Sequence, residues 1–243
     1  MSITRFFHFL HTPSPGSVFK DYLKEIVYGG NDGIITTFAV VSGFTGAVGN
    51  VDASLGASVV ILFGLANLFA DATSMGLGDF LSLRSEQDSY ISARFSEREE
   101  IAQFPSDKKE ETLNILRSRG YTRAEAYRIT DLLSKNQELW LDFIMEFKHG
   151  QSNSEENPAM NGLVTFISFM IFGSIPLLPY FIIGSDVGLS FIWAVIGAFV
   201  ALLLLGVLRW RVTRLAPVRS IGEVLVLGIV ASLIAYLVGV FVG

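Results

Sequence analysis

The chain has 243 residues, of which 51% are hydrophobic and only 17% charged, with a mean hydropathy of +0.49. A soluble domain carries about 25% charged residues, so this composition excludes an ordinary water-soluble globule and points to a bilayer as solvent. Zero cysteines exclude disulfides and thiolate chemistry, and a net charge of −5 excludes the basic footprint that nucleic acid requires.

Met1–Lys20 lacks the long apolar core and small-residue cleavage site of a secretory signal, so residues 1–25 are expected to form a cytosolic N-terminal segment. A helix crossing about 30 Å of hydrocarbon needs roughly 20 predominantly apolar residues, and the spacing of charges predicts five such helices. Asp32 is the only charge between Glu25 and Asp52, and only Asp71 and Asp79 interrupt the 31 residues between Asp52 and Arg84. Uncharged stretches of 29, 22 and 20 residues then follow Glu156, Asp186 and Glu223. The spans fall near 26–48, 56–82, 161–183, 188–208 and 222–242. The chain reads as an all-α membrane protein with five transmembrane helices and a cytosolic helical insert between spans two and three. Its parts are 1–25, 26–83, 84–160 and 161–243.

Basic residues set the orientation. Of the 18 Lys and Arg residues, three precede the first span, eleven lie between Arg84 and Lys148, and four (Arg209, Arg211, Arg214, Arg219) separate spans four and five. The turns 49–55 and 184–188 hold one Asp each and no basic residue. The positive-inside rule therefore places the N-terminus and the 84–160 segment in the cytosol and the C-terminus outside. The expected membrane is a prokaryotic plasma membrane in preference to an organellar one. The arginine cluster suits anionic lipid headgroups, Glu223 is expected to pair with it, and Gly222, Gly228, Ala231 and Ala235 suit close helix packing.

The insert has its own periodicity. Glu86–Gln103 continues the second helix into water, and Pro105 ends it. Ser106 and Asp107 are expected to cap a helix reaching Arg119, with Gly120 at its C-terminal end. Thr122 and Glu125 have capping-box spacing for a third helix. In 137–148, Leu139, Trp140, Phe143, Ile144 and Phe147 recur at helical spacing, and 151–158 is a polar linker.

A charge at mid-bilayer is costly, at least about 2.5–3.5 kcal/mol on insertion scales. Asn67, Asp71, Met75 and Asp79 nevertheless step by four along span two, which aligns them on one helix face. Asp32 sits in span one among Gly29, Gly30 and Gly33, glycines that permit close backbone approach or a loosened helix. No Lys, Arg or His occurs between Lys24 and Arg84 to neutralise these acids. Carboxylate and amide oxygens suit hard divalent cations, and the Met75 sulfur shifts preference toward softer transition metals such as Fe²⁺. Buried, protonated and hydrogen-bonded acids are the structural alternative. Met170 is read as packing, and His8, His11 and His149 as isolated residues.

The stretch from Asp21 to Gly33 (DYLKEIVYGGNDG) resembles the vacuolar iron transporter family of Fe²⁺/Mn²⁺ transporters. So do Gly64–Asn67, Ser74–Gly78, Trp140–Phe143 and Ile175–Tyr180, in their order and spacing over residues 20–243. The resemblance implies a homodimer whose metal path follows the subunit interface and exchanges metal for protons, with no tightly bound cofactor and Fe²⁺ or Mn²⁺ as cargo. Asp32 and Met75 match the family's transport-site residues, and Asp21 and Glu25 match acids at the cytosolic mouth. Asn67 stands where plant members have an acid; Asp71, one turn away on the same face, is expected to substitute for it, which is read from this chain's spacing and is not part of the family's pattern. Glu97, Glu100, Glu111 and Met145 match part of a cytosolic metal site. Lys108, Ile144 and Lys148 depart from it, standing where an acid, a methionine and another acid are expected. Solvated helix faces with Glu–Lys pairs are the other reading of Glu97–Glu111.

The expected partners are thus divalent metal ions, protons, the lipid bilayer and a second copy of the chain, and no enzymatic activity is expected. The competing class is an intramembrane aspartyl protease using Asp79 of Gly76-Leu-Gly-Asp79, which needs Asp32 or Asp71 opposite it.

Overall fold

A computed structural model describes residues 21–47, 53–151, 156–184, 186–213 and 216–242. His8, His11, Arg214 and most of the N-terminal segment lie outside them. The described helices are α1 (Leu23–Ala47), α2 (Ala53–Gln103), α3 (Pro105–Ser118), α4 (Arg123–Leu133), α5 (Gln137–Phe147), α6 (Pro158–Ser174), α7 (Leu178–Ile182), α8 (Val187–Thr213) and α9 (Pro217–Val242), with a 3₁₀ turn at Ile175–Leu177. They form two compact units, the described residues of Met1–Phe80 with Pro158–Gly243, and Leu81–Asn157.

In the first unit α6, α8 and α9 all pack on α1. Ile34, Phe38 and Val41 of α1 join Leu68 and Ala72 of α2, Phe169 of α6, Leu205 of α8 and Val224 of α9 in one apolar core. Met170 packs against that core as expected. Among the described residues four helical stretches are long and apolar enough to cross a membrane: Gly56–Gln103, Pro158–Ile182, Val187–Val212 and Pro217–Phe241. The expected first span is not among these four. The composition of α1, with Glu25, Asn31, Asp32 and several glycines, explains why. A helix enclosed by three others meets mostly protein, so its girth need not be apolar throughout. The expected third span is continuous in hydropathy but not in backbone, because Pro176 and Pro179 fall at the 3₁₀ turn and the start of α7.

The glycines of α1 serve close approach and not a loosened helix. A Cβ on Gly29 would lie 2.6 Å from the Thr165 carbonyl oxygen, and one on Gly33 would lie 2.6 Å from that of Phe169. At this contact α6 buries its polar residues Asn161, Thr165 and Ser168. Glu223 pairs with the arginines as expected, accepting from Arg209 Nη1 at 2.9 Å and Arg219 Nε at 3.0 Å.

In the second unit α2 does continue as a helix to Gln103. Pro105 both ends it and opens α3. Phe104 is the N-cap residue, and the expected capping by Ser106 or Asp107 does not occur. A proline ring already fixes φ at a helical value and lacks the amide that a first turn leaves unpaired, so Pro105 takes the first helical position. Gly120 follows α3 at φ +96°, the left-handed conformation that favours glycine. Thr122 and Glu125 form the capping box of α4. The Asn136 side chain caps α5 by accepting from Leu139 N at 3.2 Å. Ile101, Trp140, Leu141, Ile144 and Met145 make the core of this unit. The Trp140 indole N–H reaches out of that core to donate to Thr112 Oγ1 on α3 at 2.8 Å.

Candidate metal path and the carboxylate cluster

In the first unit a string of polar side chains follows α1, α2 and α6. Glu25, 3% exposed, accepts from Asn161 Nδ2 at 3.1 Å through Oε1. One turn further along α6, Thr165 Oγ1 donates to Asp79 Oδ2 at 2.7 Å. Beyond that level Asp32 and Asp71 come within electrostatic reach of each other. The Asn67 amide donates to Asp71 Oδ2 at 2.7 Å, holding that carboxylate in place by an i to i+4 bond along one face. Asp32, Asn67, Asp71 and Met75 are each half-buried, and Asp21 is exposed just ahead of α1.

Of the sequence-predicted residues, the structure thus joins Asn67 to Asp71 and brings Asp71 toward Asp32. Met75, one turn along α2, packs against the apolar core. Among the described residues no group of three or more His, Cys, Asp or Glu is placed to hold a metal ion. Asn161 and Thr165 were missed from sequence. Their signal is present, since Asn161, Thr165 and Ser168 recur at spacings of four and three in an otherwise apolar span, as a buried polar stripe does.

Asp79, the residue on which the protease reading depends, is engaged by Thr165. The acid within electrostatic reach of Asp32 is Asp71.

The second unit gathers the acids expected there, Glu97, Glu100 and Glu111, around one nitrogen. Lys108 Nζ lies 2.6 Å from Glu97, 2.6 Å from Glu100 and 2.8 Å from Glu111. Lys148 Nζ lies 2.7 Å from Glu97 and 2.8 Å from Glu111. His149, expected to be isolated, places Nε2 2.9 Å from Glu97 Oε1. Burial opposes ionisation of Glu97, but hydrogen bonds from Lys108, Lys148 and His149 prevail and hold its carboxyl at about 2. Burial also opposes charge on Lys108 and on Glu111. Their mutual hydrogen bonds win again, raising the lysine and lowering the glutamate from their ordinary values. Met145, 1% exposed, packs beside Ile101, Trp140 and Ile144 in the apolar core.

These side chains do not fit a divalent ion. Such an ion about 4 Å from one ammonium would meet repulsion of roughly 8 kcal/mol at an effective dielectric constant of about 20. Two ammoniums are present.

The chain is similar to known proteins over most of its length. The model of the VIT family matches residues 23–240. A vacuolar iron transporter of Toxoplasma gondii is 31% identical over 238 residues, covering 94% of this chain and 77% of its own. One from Plasmodium falciparum is 31% identical over 230 residues, covering 91% and 82%. Vacuolar iron transporter 1 of Arabidopsis thaliana is 33% identical over 217 residues, covering 89% and 84%.

Proposed function

The chain belongs to the VIT family, and from that premise we propose that it is a secondary transporter moving Fe²⁺, and Mn²⁺ with it, out of the cytosol in exchange for protons. The family is one of transporters, so the chain is a multi-pass membrane protein and not an enzyme. The protease reading of Asp79 is thereby set aside.

One observation carries the reading. Two acids, Asp32 and Asp71, stand half-buried within reach of each other in a segment that holds no basic side chain. Charged side chains inside a membrane are kept for ion or proton pathways, and a cation is the partner that unneutralised carboxylates call for. Asp32 and Asp71 supply anionic oxygens, Met75 supplies a thioether, and Asn67 orients Asp71. Asp21 and Glu25 serve the cytosolic mouth. Carboxylates bind metal only when deprotonated, so loading releases protons and unloading recovers them, which is the chemistry of an exchanger.

A single chain offers fewer than three acids at this level, and they are half-buried. Two copies related by a two-fold axis would present four acids and two thioethers, which supports a homodimer with the path between its subunits. In this reading α1 is the fifth span, enclosed by its neighbours. The N-terminus and the 81–157 unit face the cytosol, where the basic residues concentrate, and the C-terminus faces outward. A prokaryotic plasma membrane is our preferred location; an organellar membrane would keep the same sidedness.

The test is uptake of Fe²⁺, Mn²⁺, Co²⁺ and Zn²⁺ into proteoliposomes under a pH gradient, with proton flux recorded in parallel. Asp32→Ala and Met75→Ala should each abolish or sharply reduce Fe²⁺ uptake. Full transport by Asp32→Ala refutes the assigned path, and metal uptake without proton counter-flux refutes exchange.

A further inference from the structure

Three glutamates from α2 and α3 converge in the second unit, and the point of convergence is a lysine nitrogen. Lys108 Nζ sits 2.6–2.8 Å from oxygens of Glu97, Glu100 and Glu111. An ammonium group has three N–H donors and no acceptor, so these three carboxylates saturate it. Lys148 closes a ring. Glu97 gives Oε2 to Lys108 and Oε1 to Lys148, and Glu111 divides its two oxygens in the same way. At the centre Lys108 and Glu97 are 5% and 4% exposed, so water does not mediate the contact. Carboxylates bind divalent cations at about 2.0–2.6 Å, only slightly closer than the ammonium stands.

We propose that this cluster is a cation site whose cation belongs to the chain. Lys108, assisted by Lys148, occupies it permanently, and no divalent metal is taken up there. Three carboxylates against two ammoniums leave one formal negative charge, and Glu100, which meets Lys108 alone, is 47% exposed to solvent, so little residual field remains at the buried centre to draw a metal ion in. The one sulfur nearby, Met145, is committed to the apolar core, and Trp140 ties α5 to α3 without any ligand. It follows that α2, α3 and α5 keep their arrangement whether or not metal is present, and that cargo is not stored in this unit before transport. The proposal concerns binding in the second unit and does not depend on the path through the first.

The experiment counts Mn²⁺ ions bound per chain to the purified full-length protein in detergent, from the loss of the free-ion signal in electron paramagnetic resonance. The triple change Glu97→Gln, Glu100→Gln, Glu111→Gln should leave the wild-type count unaltered. The double change Lys108→Met, Lys148→Met should add one ion per chain, and Glu97→Gln in that background should remove it. Loss of an ion from the wild-type count on the triple change overturns the proposal. So does a double variant that elutes as folded protein and gains no ion, because the cluster would then be no cation site. Should the double variant fail to fold, the wild-type comparison with the triple variant still decides.

Discussion

Glu97 should make the stability of the second unit depend on acid pH, by an amount the structure sets. Its carboxyl is held at about 2 against an ordinary 4.5, a difference of roughly 2.5 pH units at about 1.36 kcal/mol each. The folded value is the lower one, so the unfolded chain binds the proton first. The contribution is therefore complete above pH ~4.5 and is lost as pH falls toward ~2. It amounts to about 3 kcal/mol at pH ~7 and about 1 kcal/mol at pH ~3. Glu97→Gln removes this term, so the gap between wild type and variant should narrow by roughly 2 kcal/mol between those two pH values. Trp140 is the natural reporter, since its indole bridges α5 and α3. Trp193→Phe and Trp210→Phe silence the other two of the three tryptophans. Urea unfolding followed by Trp140 fluorescence in that background, at neutral and acid pH, gives the two gaps. A gap that stays constant with pH would mean that Glu97 is not held by these cations and would refute the reasoning.

Changes at three further positions probe packing and local structure. Gly33→Ala puts a methyl 2.6 Å from the Phe169 carbonyl oxygen. Backbone cannot yield as a side chain can, so the variant should lose about 1–3 kcal/mol, seen as a lower melting temperature of the detergent-solubilised protein. Gly222→Ala meets nothing within 4 Å and should be neutral or slightly stabilising in the same assay. Thr122→Ala deletes the hydroxyl of the α4 capping box and should cost about 1 kcal/mol in urea unfolding of the second unit, whereas Thr122→Ser should restore most of it.

Much of the architecture could be read from residues in order. Helix extents followed from the distances between charges, because hydrocarbon tolerates few of them. The capping box followed from Thr122 and Glu125 alone, because capping is settled within one turn. The polar stripe from Asn67 to Asp79 followed from a spacing of four, because one helix face is a local property. The weak apolarity of α1 was also visible, but its cause was not. Only packing shows that α6, α8 and α9 surround it, sparing it from lipid on most sides.

What could not be read is which groups meet across helices. Asn161 and Thr165 drew no notice in the sequence, and only the packed helices show them bonded to Glu25 and Asp79. Lys108 and Lys148 looked like defects in a metal site, and His149 like a bystander, until α2, α3 and the end of α5 met. Spacing along a chain carries the sign of each charge and the helix face it occupies. Whether a carboxylate is answered by a metal ion or by an ammonium depends on distances of a few ångströms between residues up to 51 positions apart, and those distances exist only once the helices have packed.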